Sequence, residues 1–161
     1  FGDKNVKLVR VMPNTPAQVG EGMSAAWPNE FVSEEETKTT LSILSAFGKA
    51  EIIPENLFDV VTGISGSGPA YVFLFIEALA DAAVVGGMPR RQAYEFAAQT
   101  VYGAAKMVME TGKHPGELKD MVCSPAGTTI AAVRTLEANN FRSAVIEGAN
   151  AATEKSAAMR G

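Results

Sequence analysis

The chain has 161 residues, of which 47% are hydrophobic, enough for one ordinary domain or two small ones with a large core. Its formal net charge is −4 at pH 7 and its cations are scattered, which argues against a nucleic-acid partner because phosphate binding requires a basic face. The single cysteine cannot form an intrachain disulfide and fits a reducing cytoplasm, and with the single histidine it provides too few soft ligands for a zinc site.

The first third of the chain has the pattern of an α/β unit. The β-branched and apolar stretches at Val6–Met12, Gly22–Pro28 and Ala50–Ile53 predict three strands. Between the second and third, Ser33 precedes three acids, and apolar residues then recur at helical spacing up to Gly48. The order strand, strand, helix, strand over residues 1–53 predicts the last part of an α/β domain rather than a complete one.

Only helical patterns follow Pro54. The stretch ENLFDVVTGI predicts a short helix, and a long helix follows with Pro69 in its first turn and Gly86 past its end. A further helix extends from Pro89 to Gly112. Shorter helical patterns complete the chain, so we expect residues 54–161 to form an all-helical domain. These patterns are PGELKDMVC, TTIAAVRTLEANN and FRSAVIEGANAATEKSAAM.

The longest apolar run is PAYVFLFIEALADAAVVGGM. It contains Glu77 and Asp81, which are four residues apart and therefore lie on one helical face. A membrane span seldom has two carboxylates near its middle. We therefore expect a buried helix of a soluble protein that does not contact a membrane, with the two carboxylates on a helix face or at an interface.

The helix over residues 90–110 is apolar on more than one face. A helix that is apolar all round must be covered all round, and a domain of this size cannot easily surround several such helices. We expect a second copy of the chain to cover them, with a tight monomeric bundle as the alternative. One apolar stripe consists of Ala93, Phe96, Ala97, Val101, Ala104 and Val108, and the other of Tyr94, Ala98, Tyr102, Ala105 and Met109.

A glycine-rich segment, TGISGSGPAY, precedes the long helix. Such a run can hold a phosphate at a helix start. A dinucleotide fingerprint, however, would need a preceding strand and a glycine at the position of Tyr71. Two interpretations remain: a cap and tight packing turn, or a backbone surface that a flat cofactor or substrate can approach closely.

The segment Met12–Pro16, with the sequence MPNTP, directly follows the first strand. In open α/β sheets, ligands bind at the carboxyl ends of strands, and Asn14 and Thr15 offer neutral hydrogen bonds there. A rigid turn with two prolines is an equally good interpretation of this segment.

The segment MVCSPAGTTIAAVRTLE joins two predicted helices through a loop without a strong acid or base. Pro125 ends the first helix at Ser124, a turn includes Gly127, and Thr128 or Thr129 starts the next helix. The first amides of that helix have no hydrogen-bond partners within the helix and lie at the positive end of its macrodipole. The hydroxyls of Ser124, Thr128 and Thr129 add further donors. This pattern predicts a neutral seat for a carboxylate or phosphate, with ordinary capping by a threonine as the alternative.

The other polar candidates have simpler interpretations. His114, near a helix start, is expected to be a cap or surface residue rather than a general base, and Cys123, without a base partner, is expected to pack. Glu55 follows Pro54 and is expected to be an acid at a helix start, at the junction of the two domains. We predict no metal site.

Several segments resemble pyrroline-5-carboxylate reductases: VRVMPNTPAQVGEGM, VTGISGSGPAYVFLFIEALADAAVVGGMPR, AAKMV and HPGELKDMVCSPAGTTIAAVRTLE. The resemblance covers nearly the whole chain in the family's motif order, and KDMVCSPAGTTIAAV matches the family's signature. One departure is Ala126, where many members have a second glycine before Gly127. The methyl group of Ala126 is expected to tighten the loop.

The resemblance implies a reductase of 1-pyrroline-5-carboxylate, the last enzyme of proline biosynthesis, with NADPH or NADH as cofactor and a cytoplasmic location. It implies a mainly α chain: an all-helical dimerisation and substrate-binding domain (residues 54–161) preceded by the last strands and one helix of a Rossmann domain (residues 1–53). It also implies a homodimer, which in many members assembles into a decamer of five dimers. Because no G-x-G-x-x-G is present and the sequence begins without Met, we expect a fragment that lacks the cofactor-binding half and is inactive alone.

The resemblance further assigns the substrate seat to the loop before the sixth predicted helix. The amides of Gly127, Thr128 and Thr129, together with Ser124, would hold the substrate carboxylate. Thr129 would also form a hydrogen bond near the ring nitrogen, which makes it the candidate for a catalytic role.

Three residues outside that loop are assigned by the same resemblance. Asn14 and Pro69 would lie on the nicotinamide side of the cofactor, and Glu55 would border the substrate or cofactor pocket. The loop would face the cofactor domain of a neighbouring subunit or lie across the dimer, so oligomerisation would be needed to complete the site.

Two other functions remain open. A β-hydroxyacid-type dehydrogenase would use a lysine on a long helix as its acid, and Lys106 is the one residue that could serve. A helical assembly module would have no site at all. Turnover of a hydroxy acid by the full-length protein would favour the first alternative, and absence of ligand binding at residues 124–129 would favour the second.

Overall fold

The computed structural model describes residues 5–159, which form a mainly α structure with one small sheet. The connections between the strands and helices include two short 3₁₀ turns, Thr15–Val19 and Glu55–Leu57, and one π-helical segment, Thr62–Gly66. The strands are β1 (Val9–Met12), β2 (Gly22–Pro28) and β3 (Gly48–Ile52). The helices are α1 (Glu34–Ser45), α2 (Phe58–Val61), α3 (Gly68–Val85), α4 (Arg90–Thr111), α5 (Pro115–Val122), α6 (Thr128–Ala138) and α7 (Phe141–Ala158).

The three strands form one sheet in the order β1, β2, β3. Strand β1 is antiparallel to β2, with Met12 opposite Ala25, and β2 is parallel to β3, with Gly22 opposite Gly48. Helix α1 connects the two parallel strands, as a crossover connection requires. The predicted fold class, a short α/β portion followed by helices, is confirmed.

Strand β1 begins three residues later than the sequence predicts. The side chain of Asn29 provides the reason, because its Oδ1 accepts from the Leu8 N–H at 3.1 Å and its Nδ2 donates to the Val6 carbonyl oxygen at 2.8 Å. A side-chain amide therefore takes the place of a neighbouring strand along this stretch. Residues 6–8 are held at the sheet without belonging to its ladder.

Strand β3 begins at Gly48, two residues before the predicted start at Ala50. Gly48 has a positive φ of 146°, and a Cβ atom there would lie 2.0 Å from the Gly22 carbonyl oxygen. Only glycine has room for this approach of the two backbones. The residue that appeared to end helix α1 therefore also opens the strand.

The described residues divide into two compact units. One unit contains the residues up to Ala70 together with those from Glu147 onward, and the other contains residues 71–146. The predicted domain boundary between residues 53 and 54 stays a prediction. The buried core of the first unit contains Ala25, Ala26, Leu44 and Phe58, and that of the second contains Ala80, Ala93 and Ala97, with Ile76, Leu79, Ala83, Val84 and Met88 packed against them.

Helix α3 is largely exposed within residues 5–159. Ala80 is its one fully buried residue, whereas Phe73 is 62% exposed and Leu74 68% exposed. By length and composition alone, the helical run from Glu55 to Val85 could cross a membrane, and only 6% of its most apolar stretch is buried. The expected burial of this helix therefore requires a covering surface that residues 5–159 do not provide.

The π-helical segment is held tightly against helix α7. A Cβ atom on Gly63 would lie 2.2 Å from Thr153 Oγ1 and 2.7 Å from the Ala149 carbonyl oxygen. Ser156 Oγ donates to Asp59 Oδ1 at 2.8 Å, and Asp59 is buried. The end of the chain therefore packs onto the helical residues that follow the sheet.

We expect the packing at Gly63 to be intolerant of a single added methyl group. Gly63→Ala should lower the free energy of unfolding by roughly 1–3 kcal/mol, because Thr153 and the α7 backbone leave no room for the new atom. Gly148→Ala on α7 is the matched control, since nothing lies within 4 Å of its Cβ position and alanine favours a helix over glycine. Urea unfolding of the two variants measures the difference, and equal stabilities would contradict the packing argument.

A capping box opens helix α1 and predicts a pH dependence of stability. Ser33 Oγ accepts from the Glu36 N–H, and Glu36 Oε2 accepts from the Ser33 N–H at 2.9 Å. The hydrogen bond from Lys7, followed by those from Ser33, lowers the pKa of Glu36 from about 4.5 to about 2. The stabilising contribution of the Glu36 carboxylate is therefore complete above pH 4.5 and is lost as the pH falls to about 2.

Removal of the Glu36 carboxyl group should reduce the loss of unfolding free energy at acid pH. Glu36→Gln should lose less stability than the wild type between pH 4.5 and pH 2, as measured by urea unfolding across that range. Ser42→Ala, an exposed change on the same helix, removes no ionisable group and should keep the wild-type profile. Identical acid limbs for the wild type and Glu36→Gln would show that the Glu36 carboxylate, with its hydrogen bonds from Lys7 and Ser33, does not stabilise the fold through its charge.

Candidate functional site

The loop between α5 and α6 is a tight turn with a strained centre. The Cys123 N–H donates to the Asp120 carbonyl oxygen at 3.0 Å, and the Gly127 N–H donates to the Ser124 carbonyl oxygen at 3.0 Å. Ala126 has a positive φ of 56°, a conformation that costs a non-glycine residue roughly 1–2 kcal/mol. The alanine that departs from the family pattern therefore occupies a position where glycine is the unstrained residue.

Helix α6 begins without a side-chain cap. Gly127 is its cap residue and provides no side-chain hydrogen bond, and the amides of its first turn have no partners within the helix. The hydroxyls of Ser124, Thr128 and Thr129 make no hydrogen bond within residues 5–159. The alternative interpretation, ordinary capping of this helix by a threonine, is therefore wrong.

The donors of this helix start are accessible and neutral. Ser124 and Thr128 are exposed, and Thr129 is half-buried. The Gly127 amide is already engaged by Ser124, which leaves the amides at the start of α6 and the three hydroxyls to face a ligand. The partial positive charge of the helix start favours an anion there.

A close approach of backbone and side chain fixes the shape of this loop. A Cβ atom on Gly127 would lie 2.2 Å from Ser124 Oγ and 3.1 Å from the Ser124 carbonyl oxygen. Glycine is therefore required at this position for Ser124 to keep its present rotamer. The nearest preceding cation in sequence, Lys119, is paired with Asp120, and this hydrogen bond raises the pKa of Lys119.

The predicted residue Asn14 is fully engaged within the first unit. Its Oδ1 accepts from the Met23 N–H at 2.9 Å at the start of β2. Its Nδ2 lies 3.2 Å from the Ser65 carbonyl oxygen and 3.4 Å from Ser65 Oγ. The end of β1 is thereby joined to the glycine-rich segment that leads to Pro69.

The glycine-rich segment before α3 is a π-helical turn, which sequence reasoning missed. The Ser67 N–H donates to the Thr62 carbonyl oxygen five residues earlier at 2.8 Å. Gly63 packs against α7, and a Cβ atom on Gly66 would lie 3.1 Å from Met12 Cε, so the packing interpretation holds for both glycines. A Cβ atom on Gly68 would meet nothing within 4 Å, which leaves open space beside Pro69.

Glu55 is paired within the first unit. Its Oε1 accepts from Arg10 Nη1 at 3.3 Å, and the Arg10 guanidinium lies 4.3 Å from the centre of the Phe58 ring. Both charged side chains are partly exposed. The ion pair joins β1 to the first turn after Pro54, in agreement with the predicted position of Glu55 at a helix start.

The remaining candidates have structural roles or no visible role. His114 Nδ1 accepts from the Gly116 N–H at 3.0 Å and so caps α5, as predicted. Lys106 forms an exposed ion pair with Glu110 at 3.5 Å. Asp81 pairs with Arg90. Among residues 5–159, no group of three or more possible metal ligands is present.

The predicted site residues thus fall into two groups, each described within its own unit. The first unit contains Asn14, Glu55 and the segment that ends at Pro69, and the second contains the Ser124–Thr129 loop. Within the first unit, the Asn14 side chain meets the segment that precedes Pro69. The one sequence signal that could have predicted this contact is the proline four residues after Ser65, because it cannot donate the helical hydrogen bond to the Ser65 carbonyl oxygen.

Comparison with known proteins yields one consistent family. The family model for pyrroline-5-carboxylate reductase dimerisation matches residues 55–159. A pyrroline-5-carboxylate reductase of Escherichia coli is 62% identical over 93% of this chain and 56% of that protein. The enzyme of that name from Methanosarcina acetivorans is 52% identical over 95% of this chain and 57% of its own length. The chain therefore spans about half the length of the curated relatives it matches.

Solved structures agree with the sequence relatives. A pyrroline-5-carboxylate reductase from Coxiella burnetii has a TM-score of 0.91 at 38% identity, over 95% of this chain and 57% of that one. The pyrroline carboxylate reductase of Plasmodium falciparum, solved with NADP bound, has a TM-score of 0.89 at 41% identity, over 96% of this chain and 62% of that one. Because the family model covers most of the chain and the same helices recur in these structures, the chain belongs to the pyrroline-5-carboxylate reductase dimerisation family.

Proposed function

We propose that the full-length protein reduces 1-pyrroline-5-carboxylate to proline, with a reduced nicotinamide dinucleotide as cofactor, in the cytoplasm. The observation that supports this most directly is the uncapped start of α6, where three hydroxyls have no partner within the described residues. Such a seat fits a small carboxylate, and it lies in a chain whose family relatives bear the name of this enzyme.

The substrate carboxylate would lie at the start of α6. The amides of Thr128 and Thr129 and the hydroxyl of Ser124 would donate to its oxygens, favoured by the macrodipole of the helix. Gly127 would contribute by shaping the loop, since its own amide donates to Ser124. Binding by neutral donors holds the anion without adding a group that titrates near neutral pH.

The ring nitrogen explains why a neutral seat suits this reaction. The protonated imine is an electrophile, and hydride addition at the imine carbon, which becomes C5 of proline, passes the C=N electron pair to nitrogen and gives the secondary amine of proline. A lysine or arginine in the loop would also hold the carboxylate, but its charge would disfavour the iminium. Thr129 Oγ1 would accept a hydrogen bond from the ring N–H and orient the imine carbon, which is a positioning contribution to the rate.

The residues of this chain fit contact with the nicotinamide side of a dinucleotide but not with its pyrophosphate. The absence of G-x-G-x-x-G excludes a Rossmann pyrophosphate site of the usual sequence within these residues. The open space at Gly68 beside Pro69 fits the approach of a flat ring, and Asn14 lies close to the same segment. Pro69 and Asn14 would therefore lie on the nicotinamide side, where the bound cofactor supplies the hydride, and Glu55 would border the pocket.

We also propose a homodimer, because the apolar surface of the helices exceeds what one chain covers. Phe73 and Leu74 on α3 and Phe96 on α4 are each more than 60% exposed. The family model that matches these residues is one of dimerisation. A decamer of five such dimers is the larger assembly that the resemblance implies.

The carboxylate seat is tested by titrating the full-length protein, saturated with NADP⁺, with proline. Saturable amide shifts at Thr128 and Thr129 that are absent with proline amide are the expected result. Gly127→Ala should weaken proline binding by about fivefold or more, because its methyl group displaces Ser124 and so removes one hydrogen bond to a charged group. Ala126→Gly, which removes a methyl group from the neighbouring position, is the matched control and should retain binding. Absence of any shift in the wild type would contradict the seat and favour an assembly module without a site.

The proposed role of Thr129 is tested by steady-state kinetics. Thr129→Ala should lower kcat by roughly tenfold or more, since one hydrogen bond formed in the transition state is worth about 1–3 kcal/mol. Thr135→Ala on the same helix is the control, because the Thr135 hydroxyl donates to the Ala131 carbonyl oxygen at 3.1 Å and faces no site. An unchanged kcat for Thr129→Ala would remove this residue from the mechanism.

A further inference from the structure

Pro69 leaves the carbonyl group of Ser65 without its helical partner. In a continuous α-helix, the carbonyl oxygen of one residue accepts from the N–H four residues later. For Ser65 that residue is Pro69, which has no N–H. The next possible donor, the Ala70 N–H, is engaged by the Ser67 carbonyl oxygen at 3.0 Å. Ser65 is half-buried, so an unpaired carbonyl here would cost free energy.

The side chain of Asn14 provides the missing donor. Its Nδ2 lies 3.2 Å from the Ser65 carbonyl oxygen. The opposite end of the same amide accepts from the Met23 N–H at 2.9 Å, and a backbone N–H can only face the oxygen of the amide. This contact fixes which way the Asn14 amide points, so the nitrogen must face Ser65.

We propose that Asn14 is a positioning residue that holds the turn formed by residues 66–69, through Ser65, in the geometry that the nicotinamide cofactor requires. This inference rests on the proposed function. Asn14 restores the hydrogen bond that Pro69 removes, so the two residues act as a pair. Asn14 therefore acts on the cofactor through the turn and does not touch it, because both ends of its amide are engaged by the protein.

Other contacts also hold this turn on the side that faces the end of β1. The Ser67 N–H donates to the Thr62 carbonyl oxygen at 2.8 Å, and Met12 Cε approaches Gly66. Thr62 Oγ1 is itself 3.4 Å from Met12 Sδ. These contacts place the turn against the end of β1. Among the described residues, however, only Asn14 donates to the Ser65 carbonyl oxygen from outside the segment.

A double-mutant cycle in the full-length protein tests the pair. The four proteins are the wild type, Asn14→Ala, Pro69→Ala and the double variant, and the readouts are the Kd for NADPH by cofactor fluorescence and the free energy of unfolding in urea. Asn14→Ala should raise the Kd by about fivefold, as expected for one lost hydrogen bond. In the Pro69→Ala background, the same change should raise the Kd by less than about twofold, because the new N–H at position 69 can donate to Ser65.

Ser65→Ala is the control for the weaker contact. It removes the hydroxyl at 3.4 Å from Asn14 Nδ2 but keeps the carbonyl acceptor, and it should change the Kd by less than about twofold. If Asn14→Ala does not fold, Asn14→Asp takes its place in the cycle. That variant retains the acceptor for the Met23 N–H and lacks the donor to Ser65.

The cycle separates three outcomes. An equal loss of NADPH affinity in both backgrounds would mean direct contact between Asn14 and the cofactor, and would overturn the inference. A loss of unfolding free energy without a change in Kd would mean a purely structural hydrogen bond, and would also overturn it. A wild-type protein that binds neither NADPH nor NADH would instead contradict the proposed function itself, so the two failures are distinguishable.

Discussion

The packing of helices α3 and α4 through alanine is the constraint on which much of this structure depends. Ala80, Ala93 and Ala97 form the buried centre of the second unit, and such small side chains allow helix backbones to approach closely. Ile76, Leu79 and Val84 pack against this centre, but other large apolar side chains of the same helices lie outside it, as the exposure of Phe73 and Phe96 shows. The small buried centre therefore leaves much apolar surface exposed within residues 5–159, in agreement with a family model of dimerisation.

The first unit is assembled from both ends of the chain. Ser156, near the end of α7, forms a hydrogen bond with the buried Asp59, and Thr153 closes the space beside Gly63. On the opposite end of the π-helical segment, Asn14 reaches from the end of β1 to Ser65. A segment with non-standard helical hydrogen bonds is thus stabilised by contacts from distant parts of the sequence, and π-helical turns often occur at functional sites.

Local sequence signals predicted the order of the elements but could not predict these contacts. Ser33, Pro89 and Gly112 stand at the helix ends that their chemistry indicated, because capping depends on neighbouring residues. Strand β1 was predicted too long because the side chain of Asn29, 21 residues after Leu8, replaces a strand partner. The π-helical turn was missed for the same reason, since its geometry depends on contacts from α7 and Asn14. The burial expected for α3 is not provided by residues 5–159, because hydrophobicity indicates that a surface will be covered, and not what covers it.

The candidate carboxylate site at the start of α6 contains neutral hydrogen-bond donors and no charged side chain between Ser124 and Thr129. The three hydroxyls and the helix amides are neutral donors, and the nearest preceding lysine in sequence is paired with Asp120. The affinity of such a seat for a carboxylate changes little across neutral pH, because none of these donors titrates there. If the substrate is a cyclic imine carboxylate, as proposed, the pH dependence of reactivity would then be set by the imine nitrogen. In the proposed reaction, a neutral site would hold the carboxylate without adding a cation that disfavours the iminium, whose positive charge makes the imine carbon electrophilic.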